Sequence, residues 1–262
     1  MGFPPQQRMR FRTNWRGFIT PAIRNIVLIC TGVFLLEVLL RLFVPNAVGA
    51  LIDYTGLVPY SVVFRGFVWQ VFTYLFLHDP RSITHLLFNM LFLWMFGVDL
   101  ERTWGQKRFY TYFFLTGASA GVITVVVKLV VAHYYGAANA IVPTIGASGA
   151  IYGVIMAAAI LFPDRQVWLI PFPVTIPMWV YALVAGALEF FFTLGATGDN
   201  VSHVCHLGGM LAGYIYLRRG SHFFGFRNRY TDWKRRRMKK KFEVYQRRHE
   251  EHPPSRPDDW VN

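Results

Sequence analysis

Apolar residues gather into six long runs separated by short polar breaks. The runs cover Ile26 to Val44, Ile83 to Leu100, Phe109 to Ala132, Ser148 to Phe162, Ile176 to Leu194 and Val201 to Leu217. A helix crossing a bilayer needs about 20 mainly apolar residues. Only helices and closed barrels satisfy every backbone polar group in hydrocarbon. The pattern therefore predicts an all-α membrane protein with six spans. The fourth run is short, opening on Gly-Ala-Ser-Gly and closing at Phe162-Pro163. It is expected to start inside the bilayer, or in a recess covered by other helices, where irregular backbone is tolerated. Within the first run, Glu37 and Arg41 stand four apart, a spacing that lets them pair on one helix face.

Composition supports a membrane chain. Of the 262 residues 54% are hydrophobic and 16% charged, against roughly 45–50% and about 25% in soluble domains. Too little charge is present to cover a soluble surface, which argues against a disordered or simple cytosolic protein. The net charge of +13 would point to nucleic acid if it were spread over a soluble domain. Instead, five of the 27 basic residues precede residue 25 and fourteen follow residue 217, so no nucleic-acid partner is expected. Arg102, Lys107 and Arg108 lie between the second and third runs, Arg165 between the fourth and fifth, and the alternate loops hold only Arg65 and Arg81. The positive-inside rule then places both termini in the cytoplasm.

Three segments are expected: a basic arm over 1–24, a six-helix membrane domain over 25–218, and a basic tail over 219–262. The arm lacks the apolar core of a signal peptide, although its Arg-rich, acid-free composition leaves a mitochondrial transit peptide open. In the tail, Tyr230 to Arg248 has the composition of a helix lying on anionic lipid, or of a solvated topology anchor. Two cysteines, Cys30 and Cys205, exclude a disulfide scaffold. Their settings, one in an apolar run and the other beside histidines, argue against a mutual bridge. No internal repeat is visible, which weakens a transporter reading.

Polar groups inside apolar runs are costly, which makes them functional candidates. His85 and Asn89 share a helix face one turn apart; alone, the pair reads as polar glue between helices. Gly146-Ala147-Ser148-Gly149 puts an accessible hydroxyl at a helix N-terminus, whose free amides stabilise a developing oxyanion. Tyr152 lies one turn beyond Ser148, and Gly153 continues a small-residue face. His203-Val-Cys205-His206 leads into Gly209 and Gly213, a GxxxG face that permits close helix approach. His206 lies three residues before Gly209, on that face. If its partner is the Gly149–Gly153 face, the histidine meets the serine, and a serine becomes a nucleophile when a base is within hydrogen-bond reach.

His85-x-x-x-Asn89, Gly146-x-Ser148-Gly149 and His206-x-x-Gly209-x-x-x-Gly213 together resemble the rhomboid family of intramembrane serine proteases. Gly97 and Glu101 resemble the family's G-x-x-x-E close of its second helix. Two positions depart: Trp69-Gln70 stands where the family often has Trp-Arg, and Cys205 where many members have Ala. The resemblance implies a six-helix bundle with a short central fourth helix and a first loop partly in the outer leaflet.

For function the resemblance implies an endopeptidase that cuts transmembrane segments of membrane proteins. Ser148 would be the nucleophile and His206 the general base. Tyr152 would stack on the base, and His85, Asn89 and the Ser148 amide would hold the oxyanion. No acidic residue lies within a few positions of either catalytic residue, so a dyad is expected rather than a triad. His203 is expected to sit nearer the extracytoplasmic rim, solvated and out of reach of the serine. No cofactor or metal is expected, because the carboxylates and cysteine spacing of a zinc site are missing. The partners implied are transmembrane substrates and the lipid bilayer, in a bacterial inner membrane. The alternatives are a catalytically silent rhomboid-like binder of membrane clients and a small transporter.

Overall fold

The computed structural model describes residues 18–136, 138–169, 172, 174–194 and 203–219. Most of the basic arm and tail, including the helix expected over Tyr230 to Arg248, lies outside the described residues. The chain divides into a compact unit through Tyr214 and a second unit from Ile215 onward.

Helix α1 (Pro21–Phe43) begins with proline at its first turn, where the missing N–H costs nothing. Its leading amides are capped from a distance: the Glu101 carboxylate accepts from Ala22 N at 2.8 Å and Ile23 N at 3.1 Å, and from the Thr20 hydroxyl. A carboxylate at a helix N-terminus is favoured by both the orphan amides and the helix dipole. Gly97, one turn before Glu101, lets Ile23 and Phe109 close in; a Cβ there would lie 2.6 Å from Ile23 Cδ1. The Gly97–Glu101 spacing is thus the joint that fixes α1 to the second long helix.

Pro45 ends α1 and opens α2 (Pro45–Thr55), followed by α3 (Pro59–Phe64), α4 (Gln70–Thr73) and one 3₁₀ turn (Tyr74–Phe76). This elaborate loop is folded around Gln70, which is fully buried. Its Oε1 accepts from Val58 N at 3.0 Å, and its Nε2 donates to the Asp53 and Tyr54 carbonyls at 2.8 and 3.2 Å. Gln70 therefore braces the loop from within rather than contacting lipid. Tyr54, Phe67 and Trp69 cluster on the loop's outside, with ring centroids 4.6–5.4 Å apart.

The two longest spans follow, α5 (Ile83–Trp104) and α6 (Gln106–Tyr135), joined at Gly105. After the short α7 (Ala138–Ile141) comes α8 (Ser148–Leu161). Its 14 residues rise only about 21 Å at 1.5 Å each, short of the roughly 30 Å hydrocarbon layer. Helix α8 is the core of the molecule. Ala150, Val154, Ala157 and Ala158 are fully enclosed, and α5, α6 and α9 pack around it.

A two-stranded antiparallel hairpin, β1 (Gln166–Trp168) with β2 (Thr175–Pro177), leads into α9 (Met178–Leu194). The fifth helix thus starts slightly later than the apolar run, whose first residues form the strand. Residues 203–219 are helical and form α10; the expected start at Val201 lies outside the described residues. Helices α1, α5 and α6 are long and apolar enough to cross a bilayer, and α8 and α9 are shorter apolar helices. Leu28, Leu35, Leu39 and Leu42 on α1, and Leu183, Phe191 and Leu194 on α9, are exposed. Exposed apolar surface on this scale fits a lipid-facing exterior.

The expected Glu37–Arg41 pair does not form. Glu37 turns inward, fully buried, and accepts from His78 N at 3.2 Å, whereas Arg41 donates to the Pro80 carbonyl at 3.2 Å. Both residues reach the same loop instead of each other, because its unpaired backbone groups are the nearer partners. Cys30 and Cys205 are both free and buried.

Candidate active site

The site begins with how Ser148 is held. Leu57 and Thr144 exchange both backbone hydrogen bonds at 2.9 Å, and Gly146 N donates to the Tyr74 carbonyl at 2.9 Å. The first loop thereby pins the segment that delivers Ser148, which is the first residue of α8. The leading amides of a helix have no partner within it, so this is an anion-favouring position. Gly146 has φ of +117°, a backbone region that L side chains avoid.

Helix α10 then docks on α8 through glycine. A Cβ on Gly209 would lie 1.9 Å from the Gly149 carbonyl oxygen; one on Gly213 would lie 3.1 Å from the Gly153 carbonyl oxygen and collide with the Tyr112 hydroxyl. Gly149 has Cys205 Sγ against it, and Gly153 has Thr116. Tyr112 fixes the other side of this seam, donating to the Gly153 carbonyl at 2.7 Å. The backbones meet with no room for a side chain. That approach carries His206 to Ser148: Nε2 lies 2.8 Å from Oγ. The Tyr152 ring stacks on the imidazole, with centroids 4.3 Å apart and planes 8° from parallel.

His85 faces the same space. The position of a Cβ on Gly146 would be 2.9 Å from His85 Nε2 and 3.8 Å from Ser148 Oγ. His85 Nδ1 accepts from Asp79 N at 3.3 Å. Asn89 is placed differently from a donor aimed at the serine. Its Nδ2 donates to the His85 carbonyl at 2.7 Å on its own helix, and its buried Oδ1 has no partner among the described residues.

Two features revise the sequence reading. An acid does stand beside the pair: Glu189 Oε1 lies 3.0 Å from His206 Nδ1. The contact is close but poorly aligned, and Nδ1 has no other partner among the described residues. The acid was hidden because it comes from α9, and neighbours in sequence are a poor guide to what helix packing assembles. The available signal was Glu189 itself, the one charged residue in an apolar helix, since an intramembrane charge is costly and therefore suspect. His203 is also not solvated at a rim. Its side chain is 12% exposed, and Nδ1 donates to Glu189 Oε2 at 2.6 Å. Tyr152 donates its hydroxyl to the other carboxylate oxygen.

The carboxylate that the zinc argument lacked is therefore present. The donor atoms of Glu189, His203 and His206 lie within 4.8 Å of one another, and these three residues are the group that would offer ligands to a metal.

A serine hydroxyl, an imidazole at hydrogen-bond distance, and a helix N-terminus beneath them can activate a nucleophile and accommodate an oxyanion. Residues 65–222 match the Rhomboid domain family. The chain belongs to the rhomboid family. It is 34% identical over 138 residues to rhomboid protein 1, mitochondrial, of Saccharomyces cerevisiae, covering 52% of this chain and 38% of that one. Rhomboid protease GluP of Bacillus subtilis is 29% identical over 156 residues, 59% of this chain and 26% of that one. The presenilin-associated rhomboid-like protein, mitochondrial, of Rattus norvegicus is 29% identical over 145 residues, 53% and 35%. The matches span well under half the length of these relatives. Family and apolar helices together make this rhomboid an integral membrane protein.

Gly146→Ala is expected to impair the rhomboid site without altering Ser148 or His206.

 The side chains of Ser148 and His206 stay as they are. The new methyl would press on His85 Nε2, and the positive φ adds strain of about 1–3 kcal/mol. Serine-probe labelling and thermal unfolding should both fall. Unchanged labelling would show that the space beside Gly146 is not used.

Proposed function

We propose that this rhomboid is an intramembrane serine endopeptidase that cleaves transmembrane segments of other membrane proteins. The observation that carries the reading is the 2.8 Å approach of His206 Nε2 to Ser148 Oγ, at the head of a helix too short to span the bilayer. Ser148 attacks the peptide carbonyl while His206 takes its proton. The imidazolium then returns that proton to the leaving amine, and water hydrolyses the acyl-enzyme by the same route. The Ser148 amide and His85 are the oxyanion donors. Asn89 joins them by releasing its bond to the His85 carbonyl. Tyr152 keeps the imidazole ring from turning. Lipid supplies the medium from which substrate spans enter. The reading of a silent client-binding protein is disfavoured, because both reacting side chains are present and in contact.

Labelling with a fluorophosphonate probe tests this reading. The wild-type chain should react, Ser148→Ala should not, and chelators should leave the reaction unchanged. Loss of labelling on chelation would instead make the Glu189–His203–His206 group a metal site.

The proposal also fixes an orientation, with both termini cytoplasmic in a bacterial plasma membrane. The loop charges support the orientation; among the relatives, the Bacillus one is bacterial, whereas the yeast and rat ones are named as mitochondrial. The domain division proposed is a basic arm over 1–24, the membrane domain over 25–218 and a basic tail over 219–262. Reporter fusions within 102–108 and at the C-terminus should read cytoplasmic, and fusions within 45–80 should read exported. An exported C-terminal reporter would reverse the orientation.

A further inference from the structure

Catalysis by a serine and histidine needs the imidazole in one tautomer. The nitrogen facing the hydroxyl must be bare, so the proton must sit on the other nitrogen, and the partner of that other nitrogen decides the matter. We propose that Glu189 positions His206 by accepting its Nδ1–H, making a Ser148–His206–Glu189 triad in place of an unassisted pair. The inference deepens the protease reading and rests on it.

Three donors converge on this carboxylate. Oε1 lies 3.0 Å from His206 Nδ1 and accepts from the Tyr152 hydroxyl; Oε2 accepts from His203 Nδ1 at 2.6 Å. Tyr152 is also the ring stacked on His206. The face and the edge of the imidazole are therefore held by one connected group, anchored on α8, α9 and α10. His203 is in turn packed against Phe192, with ring centroids 5.3 Å apart. Packing alone does not account for Glu189. An apolar residue would fill an apolar helix without the desolvation that a carboxylate demands. What the carboxylate adds is an acceptor at a nitrogen that has no other among the described residues. Small rotations of Glu189 or the ring align the 3.0 Å contact when the imidazole becomes cationic and the attraction grows. Glu189 meets neither Ser148 nor the substrate carbonyl in this scheme, so it is a positioning residue. His203 and Tyr152 hold the carboxylate in turn.

The test uses the full chain in detergent with ¹⁵N-labelled histidine, and compares wild type with Glu189→Gln and Glu189→Asp. Turnover of a single-span reporter and the ¹⁵N signals of the His206 ring are read together, the ring being assigned through His206→Ala. Wild-type His206 should carry its proton on Nδ1. Glu189→Gln presents an amide that donates as well as accepts, so it should mix the tautomers and lower kcat by about 10²-fold or more, with KM little changed. Glu189→Asp should keep the wild-type tautomer and recover part of kcat.

A wild-type tautomer in Glu189→Gln would overturn the inference, whether kcat is kept or is lost along with thermal stability. If wild type itself fails to cleave while the tautomer still follows Glu189, the protease reading falls and the positioning contact stands.

Discussion

Ser148→Ala, His206→Ala and the double variant are expected to share one floor of activity, about 10⁴-fold or more below wild type. Groups that act as a unit are strongly non-additive: once either is gone, the other has nothing left to do. The 2.8 Å contact between Oγ and Nε2 makes these two side chains such a unit. Stability should respond differently. Ser148→Ala removes one small hydroxyl and should leave the unfolding temperature close to wild type. His206→Ala removes a stacked ring from Tyr152 and should lower it. Initial rates of reporter cleavage, with thermal unfolding of the same preparations, decide the point. A double variant much slower than either single one would mean that the two residues act independently.

Gly209→Ala should be the most damaging glycine-to-alanine change among the described residues. Its Cβ would stand 1.9 Å from the Gly149 carbonyl oxygen, and backbone cannot swing aside as a side-chain tip can. Helices α8 and α10 would have to part by more than an ångström. The cost should exceed the roughly 1–3 kcal/mol of ordinary overpacking. The same separation pulls His206 from Ser148, and misplacement on that scale costs about 10²-fold in rate. Stability and activity should therefore fall together. Gly32→Ala is the control: no atom lies within 4 Å of its Cβ position on α1, and a helix gains about 0.5–1 kcal/mol from Ala in place of Gly. If Gly209→Ala melts like Gly32→Ala, the close seam is wrong.

Much of this arrangement was legible because helices have a fixed period. His206, Gly209 and Gly213 fall on one face by spacing alone, and the small residues after Ser148 offer a matching surface. The short fourth run likewise announced a helix of 14 residues, too short to cross the bilayer. Glu189 was not legible as a partner, since no spacing rule links a residue on α9 to motifs on α8 and α10. Only the cost of its charge marked it. The i,i+4 rule failed for Glu37 because that rule describes an isolated helix surface, whereas Glu37 is buried beneath a loop whose amide it accepts from. Gln70 stood out only as a departure from the family's Arg, and the resemblance says nothing of what a Gln does there. Its three bonds to backbone show a brace inside the loop. The hairpin over 166–177 was missed because its strands, three residues each, are too short for a period-two pattern to show.

The central claim is that Ser148 cuts peptide bonds within the membrane. Its most direct test is to reconstitute the full chain in liposomes with a single-span reporter and to determine the product ends by mass spectrometry, beside Ser148→Ala. The account predicts product ends in or next to the reporter's span with the wild-type chain, and intact reporter with the variant. Equal cleavage by Ser148→Ala, or an intact reporter with both proteins, would contradict it.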